Sequence, residues 1–419
     1  MIVYFPFAYY HPEQCAGQFV LDDVSETLAQ MGFKSQITVP TPTRNVPKDA
    51  VWSRDEVLCG GKVRVHRFRM YGEGKNPVLR ALRYLLCEVV QLHYMLWKDY
   101  DVAFIDSTPP IQGLKLSIVR LFRRKKRFVY NAQDLFPETL SGAGLAKRGG
   151  LLWMVGMWVS NVTFRYSDKI IAISQDIKRS IVARGVPEER IEVIYNWVDE
   201  NAVQPMAKEE NPLYEEFGLS RDAFTVVYAG NLGNAQNIGI ILDAAPHLLG
   251  VQFVIFGTGG LEDEIRARIS KEKMQNVKLL PLQPSERVSQ VYSLGDACVV
   301  SCKAGLGGSA MPSKTWTIMS CGRPVIASFD EGELKEIIEG TSAASICSAT
   351  GSEAARPCGV FTHAGNVTEF VEAVRSLMTD RERCAQMGSN ARQFILDNLT
   401  KDVGTRKYVE VIKQFAGES

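Results

Sequence analysis

The sequence predicts an α/β protein with two doubly wound domains, each built on a parallel sheet. Short apolar runs typical of buried strands alternate with helix-length segments along the chain. The alternation breaks once, in a polar, proline-containing stretch, and then resumes. At 419 residues the chain is too long for one ordinary core, so two domains of about 200 residues each are expected.

The first domain is predicted over residues 1–197. The apolar runs that predict its strands are MIVYF at 1–5, DVAFI at 101–105, RFVYN at 127–131, KIIAIS at 169–174 and IEVIYN at 191–196. A long apolar stretch begins at Leu151, but Ser160 and Arg165 interrupt it before it could span a bilayer. That stretch therefore predicts a helix followed by a strand.

A second domain of the same kind is predicted over residues 198–395. It opens with DENAVQPMAKEENPLYEEFGLS at 199–220, which predicts a linker containing a short helix. The runs that predict its strands are FTVVYAG at 224–230, VQFVIFGTGG at 251–260, NVKLLPL at 276–282, DACVVS at 296–301 and RPVIAS at 323–328. The tail, 396–419, predicts a helix that packs back on the first domain. Two such domains facing each other leave a cleft beyond the carboxyl ends of the strands.

Composition excludes several classes of partner. The 48 basic and 47 acidic residues nearly cancel, so no net field attracts nucleic acid. Nine cysteines without a C-x-x-C pair indicate reduced thiols and no zinc site. No signal peptide is recognisable at the N-terminus, so we expect a cytoplasmic protein. No D-x-D follows a strand, and no bound metal is expected.

Two glycine-rich turns follow predicted strands of the second domain. Such turns allow close approach of a ligand to the backbone, although many of them simply connect a strand to a helix. The candidate donor-binding residues in YAGNLGNAQN and FGTGG are Gly230, Asn231, Gly233, Gln236, Gly257 and Gly259. Neither turn matches a P-loop, and the first strand lacks G-x-G-x-x-G, which disfavours a dinucleotide site.

The stretch GLGGSAMPSKTWTIMSCGRPVIAS, at 305–328, offers a third candidate. Backbone N–H groups of Gly307, Gly308 and Ser309, a helix starting near Ser313, and the charge of Lys314 together predict an anion site. The alternative is an ordinary connection between a strand and a helix.

Polar residues also follow strands of the first domain. QDLFPE places Asp134 and Glu138 after a strand, where a carboxylate can act in the cleft or cap the next helix; we favour a cleft role for Asp134 and capping for Glu138. HPEQCAG supplies Gly17 and His11, and His11 is either an acceptor-side residue or a solvated loop histidine.

A basic run closes an apolar segment of the first domain. GLKLSIVRLFRRKKRF contains Arg123, Arg124, Lys125 and Lys126, and a second apolar and basic helix is predicted from Asn76. Such segments bind anionic lipid surfaces, although charge runs also occur at solvated helix ends.

The order of these motifs resembles the retaining GT-B glycosyltransferases of family 4. The matching pieces are an early loop glycine, QDLFPE, SDKIIAISQDIKRSIVARGVPEERIEVIYNWVD, YAGNLG, FGTGG, LLPLQPSERVSQVYSLGDACVVS and PSKTWTIMSCGRPVIAS, and they cover nearly the whole chain. The chain is most similar to the branch of capsule, O-antigen and colanic-acid enzymes that includes L-fucosamine transferases.

The resemblance implies two Rossmann-like domains facing across a cleft. It implies a UDP-sugar donor as substrate, no separate cofactor or metal, and a lipid-linked saccharide acceptor at the cytoplasmic face of a membrane; the sugar can be an N-acetylamino sugar. The base is expected near Leu282 and Gln283. The residues that the resemblance implies for catalysis are Asp134, Ser309, Lys314 and Thr317, with Gly17 on the acceptor side.

The chain departs from the family pattern at charged positions. Asn231 and Gln236 stand where the family carries an arginine and a lysine, Ser309 and Thr317 stand where it carries two glutamates, and Gln133 replaces a histidine. Two other functions stay open: a nucleotide-sugar 2-epimerase, which would need cleft carboxylates for acid–base work, and a non-catalytic UDP-binding subunit.

Overall fold

The computed structural model describes residues 1–13, 17–43, 46, 50–72, 77–138, 147–309, 311–341 and 356–416. The chain divides into two compact units, one formed by Met1–Asn196 with Asp402–Ser419 and the other by Trp197–Lys401. Each unit is built on its own sheet.

The first unit contains an eight-stranded sheet in the order β3-β4-β2-β1-β5-β6-β7-β8. Its strands are β1 (Ile2–Pro6), β2 (Lys34–Pro40), β3 (Asp55–Leu58), β4 (Val63–Phe68), β5 (Val102–Asp106), β6 (Arg127–Ala132), β7 (Lys169–Ala172) and β8 (Ile191–Val193). All neighbouring pairs are parallel except β3 with β4. The central strands are buried on both faces, and Val3, Phe104 and Val129 are fully inaccessible to solvent.

Strands β2, β3 and β4 were not predicted. β2 begins with Lys34 and Ser35, and β4 alternates apolar residues with Arg64 and His66. β3 is largely exposed and pairs antiparallel with β4 at the edge of the sheet. These strands lack the continuous apolar run on which the other strands were recognised, because each has solvent or a polar neighbour on one side.

Helices of the first unit connect these strands. Their bounds are Gln18–Gln30, Pro77–Trp97, Gln112–Phe122, Leu151–Tyr166, Gln175–Val182 and Lys401–Lys413. The stretch from Leu151 does form a helix followed by a strand, β7. None of the described helices combines the length and the apolar character that crossing a membrane requires.

The second unit contains a six-stranded parallel sheet in the order β11-β10-β9-β12-β13-β14. The strands are β9 (Phe224–Asn231), β10 (Val251–Thr258), β11 (Val277–Leu280), β12 (Ala297–Ser301), β13 (Val325–Phe329) and β14 (Gly359–His363). The helices are Leu213–Glu216, Gly239–Ala244, Glu262–Lys271, Val288–Ser293, Lys314–Ser320, Glu333–Glu339, Val367–Thr379 and Arg381–Asn398. Strand β14, at the edge, was not predicted.

The segment 197–212, here called the strap, is not a free linker. Its backbone is held by side chains of the second unit: Ser293 accepts from the Met206 N–H at 3.0 Å, and Ser320 donates to the Val203 carbonyl at 2.7 Å. Arg392 donates to the same carbonyl at 3.0 Å. Proline and charge in this stretch predicted a linker, but these hydrogen bonds satisfy its backbone against the second unit.

The tail divides between the units. The helix Arg381–Asn398 contains the predicted starting point of the tail at 396, so the tail begins later than predicted. The helix Lys401–Lys413 belongs to the first unit, where Tyr408 is fully buried and donates a hydrogen bond to Asn131 at 3.0 Å.

Candidate functional site

The two predicted glycine turns of the second unit lie side by side at the carboxyl edge of its sheet. β9 and β10 pair in register, with Gly230 opposite Gly257. A Cβ added to Gly257 would lie 2.4 Å from the Gly230 carbonyl oxygen, and one added to Gly259 would lie 2.6 Å from the carbonyl of Leu232. Glycine is therefore required here by close approach of one turn to the other.

The polar side chains of the first turn contact each other. The Asn231 amide donates to the Gln236 amide oxygen at 3.3 Å. A Cβ on Gly233 would lie within 3.0 Å of both amides, so this glycine leaves room for the pair. These residues stand where the family carries two cations, and the turn here presents neutral amides.

Lys314 reaches the same turn from the start of the helix Lys314–Ser320. Its ammonium lies 3.1 Å from the hydroxyl of Tyr228 and 4.1 Å from the centre of that ring. Burial lowers the pKa of Lys314 to about 8. Gly230, with φ of +144°, lies close to this ammonium, since a Cβ there would be 2.8 Å from it. The structure thus brings Gly230, Gly257 and Lys314 together.

Gly307 was predicted to offer a bare amide to an anion, and this is wrong. The N–H groups of Gly305 and Gly307 donate to the carboxylate of Asp330, at 2.8 and 2.7 Å. Asp330 follows the strand β13, so a carboxylate of the protein itself already accepts hydrogen bonds from the N–H groups of this loop. Gly308 is exposed, and the turn Gly307–Ser309 is a short 3-10 helix.

Ser313 and Thr317 lie on the helix beside Lys314. Ser313 stands at the N-cap without a side-chain capping bond and is exposed, and Thr317 is half-buried. The helix has only seven residues, so its dipole adds little to the charge of Lys314.

A lysine that was not singled out in the sequence also borders this turn. Lys303 follows β12, and its N–H donates to the Ala235 carbonyl at 2.8 Å. The neighbouring Ser301 hydroxyl donates to the Gln236 carbonyl at 2.6 Å. Lys303 is exposed, so the loop after β12 carries a second cation beside the amide turn.

The residues predicted near the base follow β11. Leu282 is exposed, whereas the Gln283 side chain donates to the Pro281 carbonyl at 3.0 Å and accepts from Arg287 at 2.9 Å. The Gln283 side chain is therefore already hydrogen-bonded locally, and contact of a base with Leu282 or Gln283 stays a prediction.

In the first unit, Asp134 and Asp106 lie at the ends of adjacent strands. Asp134 is exposed, and the protein packed around its carboxyl raises the pKa of that group by desolvation. Asp106 is buried, and burial raises its pKa to about 7, with the charge of Asp134 adding to the shift. Gly17 lies beside them, since a Cβ there would be 3.9 Å from the Asp106 carboxylate. Sequence reasoning missed Asp106.

The other two predicted acceptor-side residues have partners of their own. His11 is 2.7 Å from Asp22, which raises the pKa of the imidazole, and its side chain is 57% exposed. Glu138 forms an ion pair with the buried Arg184. His11 remains available to a ligand, whereas Glu138 serves the packing of Arg184.

The basic run divides into two pairs. The Arg123 guanidinium donates to backbone carbonyls at the end of the helix Pro77–Trp97, and the Lys126 ammonium donates to the Tyr100 carbonyl. Arg124 and Lys125 are exposed. The predicted membrane run of four cations is therefore wrong for Arg123 and Lys126, whose charges satisfy carbonyls of the fold.

Among the described residues, no group of three or more histidine, cysteine or acidic side chains is placed to hold a metal ion.

Replacing Gly230 with alanine is expected to disturb Lys314, and because φ at this position is +144° the added Cβ also strains the turn. The new Cβ would displace the ammonium, so we expect about tenfold weaker UDP binding, measured by calorimetry. Gly260→Ala is the matched control, because no atom lies within 4 Å of the added methyl group. Equal UDP binding by the two variants would exclude Lys314 from the nucleotide site.

Solved structures share this fold along nearly the whole chain. Anabaena Alr3699/HepE in complex with UDP is 17% identical, covers 99% of both chains and superposes with a TM-score of 0.70. Sucrose-phosphate synthase from Thermosynechococcus elongatus is 14% identical, covers 100% of this chain and 99% of its own, and has a TM-score of 0.76. The fold is GT-B.

Two family models match the chain in succession. Residues 17–202 match Glycosyltransferase Family 4, and residues 212–394 match Glycosyl transferases group 1. The chain therefore belongs to the GT-B glycosyltransferases.

Two curated relatives are named as glycosyltransferases, and one of the two names refers to colanic acid biosynthesis. The putative colanic acid biosynthesis glycosyl transferase WcaI of Escherichia coli K12 is 24% identical, over 68% of this chain and 73% of its own length. The probable glycosyltransferase WbjE of Pseudomonas aeruginosa is 22% identical, over 58% of this chain and 60% of its own length.

Proposed function

We propose that this protein is a retaining glycosyltransferase that uses a UDP-sugar, with a UDP-activated N-acetylamino sugar as the donor to test first. The acceptor is a lipid-linked polyprenyl-diphosphate saccharide, used in bacterial surface polysaccharide synthesis at the cytoplasmic face of the membrane. The colanic acid relative and the solved structures in complex with UDP support this direction.

The observation that carries the proposal is the position of Lys314. A half-buried ammonium lies beside Gly230, at the carboxyl edge of a parallel sheet, where nucleotide ligands bind in open α/β folds. Placing a cation in this partly dry position costs hydration, as its lowered pKa indicates. A diphosphate restores the lost interaction and favours the charged form of Lys314.

In the proposed reaction, the bond from the anomeric carbon to the donor phosphate oxygen breaks. The acceptor hydroxyl oxygen forms the new bond to that carbon on the same face, and its proton passes to an oxygen of the departing UDP. Lys314 stabilises the charge that grows on the diphosphate, and the amides of Asn231 and Gln236 add neutral donors. Lys303 supplies a second cation at the edge of the same turn.

The acceptor is proposed to bind the first unit near Asp134 and Gly17. The exposed carboxyl of Asp134 can accept a hydrogen bond from an acceptor hydroxyl, Asp106 ends the adjacent strand, and His11 is a further acceptor-side candidate. Because a donor phosphate oxygen takes the proton, the reaction does not depend on a strong protein base.

The test is incubation of the protein with UDP-N-acetylamino sugars and UDP-hexoses, with and without synthetic polyprenyl-diphosphate saccharides. We expect an α-linked product from an α-linked donor, identified by NMR, together with free UDP. An epimerised nucleotide sugar without acceptor would replace the proposal by the 2-epimerase. Binding of UDP with no product from any pair would support the non-catalytic subunit.

A further inference from the structure

The helix Pro77–Trp97 turns an apolar side to solvent. The exposed positions recur at helical spacing and lie on one side of the helix. They include Leu82, Leu85, Leu86, Val89 and Trp97, whose exposed fractions run from 47% to 78%. The outer side of this helix is therefore a stripe of large apolar side chains.

The inner side of the same helix includes several charged and amide residues beside its buried apolar ones. Arg83, Glu88 and Gln91 are buried, and the Lys115 ammonium donates to Glu88 at 3.1 Å and to Gln91 at 2.6 Å. The Gln91 amide donates in turn to the Phe7 carbonyl at 2.7 Å. A surface helix of a globular protein normally buries its apolar stripe and exposes its polar one. This helix exposes an apolar stripe and buries charged and amide side chains together with apolar ones.

Two further helices of the first unit repeat this arrangement. In Leu151–Tyr166 the buried positions include Gly156, Ser160 and Thr163. The large apolar residues that it exposes are Leu151, Leu152, Met154, Val155 and Trp158. In Gln112–Phe122 the exposed apolar residues are Ile118, Leu121 and Phe122. Both helices also bury apolar residues, Val159 and Phe164 in the first and Leu116 and Val119 in the second, so what the three helices share is an exposed apolar side.

The helix Gln112–Phe122 packs against both of the others, so the three helices are neighbours in the first unit. A Cβ on Gly113 would lie 2.4 Å from the Thr163 backbone, which shows how closely one pair approaches. On the other side, Lys115 reaches Glu88 across the second pair. We call the exposed apolar side chains of these helices the apolar surface.

The charges around the apolar surface are mainly positive, and the exposed carboxylate of Asp99, two residues after Trp97, is paired with Lys126 at 3.6 Å. The three helices contain a single acidic residue, Glu88, and it is buried. Exposed cations lie at the ends, with Arg124 and Lys125 shortly after Phe122 and Arg148 shortly before Leu151. An apolar centre with a cationic rim and exposed tryptophans complements the interface of an anionic bilayer. Since none of the described helices can span a bilayer, the match is to a surface rather than a span.

We propose that the apolar surface inserts into the interfacial layer of an anionic membrane, so that the first unit is held by apolar contact as well as by charge. This inference rests on the membrane location proposed above and deepens it. It assigns the contact to three helices, with Arg124 and Lys125 as the exposed cations of the basic run, and not to all four of its residues.

The test compares vesicle binding of the full chain with that of the double variant Leu82→Gln/Leu86→Gln. Vesicles of phosphatidylcholine with and without phosphatidylglycerol are sedimented with protein at about 0.1 M and about 1 M NaCl, where the Debye length falls from about 10 to about 3 Å. Leu249→Gln is the matched control, since Leu249 is an exposed leucine of the second unit. All three substituted positions are exposed, so folding is not at risk.

We expect the unaltered protein to bind anionic vesicles and to stay partly bound at the higher salt. The double variant should bind at least about tenfold more weakly at both salt concentrations, because burial of even one leucine side chain is worth that factor or more. Arg124→Gln/Lys125→Gln should weaken binding at the lower salt only. Tryptophan emission should shift to shorter wavelength on binding, and the shift should shrink in Trp97→Phe.

Three results would overturn the inference. The first is equal vesicle binding by the double variant and the Leu249 control. The second is complete release of the unaltered protein at high salt, which would mean adsorption by charge alone. The third is a dimer in sedimentation velocity that the double variant dissociates, which would assign the surface to a second copy. UDP binding measured on the same samples separates these results from failure of the donor site.

Discussion

The variant Lys314→Ala is expected to bind UDP about 10- to 100-fold more weakly and to lose transferase activity at least in proportion. A charge-assisted contact to phosphate contributes about 1.5 to 3 kcal/mol, and the same contact is worth more as charge grows on the leaving diphosphate. Calorimetry with UDP and initial rates with the UDP-sugar measure the two effects. Lys271→Ala, which removes an exposed lysine from another helix of the same unit, is the control.

The pH dependence gives a second measure of the same contact. Because the pKa of Lys314 lies at about 8 in the free protein, the ammonium loses its proton as pH rises through that value. UDP affinity of the unaltered protein should therefore fall between about pH 7.5 and pH 9.5, where phosphate groups are already ionised. The alanine variant should lack this decline. An equally steep decline in both proteins would assign it to another group.

The variant Asp106→Asn is expected to be more stable than the unaltered protein at pH 8 and nearly equal to it at pH 4. The folded-state pKa of Asp106, about 7, lies above the model-compound value of 3.8, so its contribution to stability is complete below about pH 4 and is lost as pH rises through about 7. The rise of the Asp106 pKa from 3.8 to about 7 corresponds to at most about 4 kcal/mol in the free energy of unfolding. Urea denaturation of the full chain at the two pH values measures the difference.

Asp222→Asn is the control for this comparison, because Asp222 is exposed. It should leave stability unchanged at both pH values. If Asp106→Asn also follows the unaltered protein at both, then Asp106 ionises in the folded state without penalty. The carboxyl of Asp106 would then have to contact more water than its small exposed area indicates.

Local sequence predicted the strands whose apolar runs are continuous and the glycine turns that follow them. Gly230 and Gly257 could be recognised because a turn after a buried strand is a property of neighbouring residues. The strands β2 and β4 could not be recognised from the sequence, because their polar residues face solvent or lie beside neighbouring strands. Asp106 was missed because its surroundings come from other segments: the Asn131 amide on the adjacent strand donates to its carboxylate at 3.4 Å, and Gly17 lies close to it.

The basic run and the loop of Gly307 show the same limit. Arg123 and Lys126 belong to a run whose composition is typical of an exposed cationic surface. Their hydrogen-bond partners are the backbone carbonyls of Lys98 and Tyr100, which lie outside the run. The loop sequence alone gives the Gly307 N–H no partner, but in the fold it donates to Asp330, which follows a different strand. Sequence spacing indicates where a charge is, whereas its partner depends on which strands become neighbours.

The strap decides how the second unit can be expressed by itself. A gene fragment cut at the start of the family match, residue 212, would remove the backbone groups that Ser293, Ser320 and Arg392 bind, and would leave buried polar atoms in the product without partners. A fragment that starts at Trp197 keeps those hydrogen bonds. For isotope labelling or ligand screening, the second unit is therefore best expressed from Trp197, so that all sixteen residues of the strap are kept.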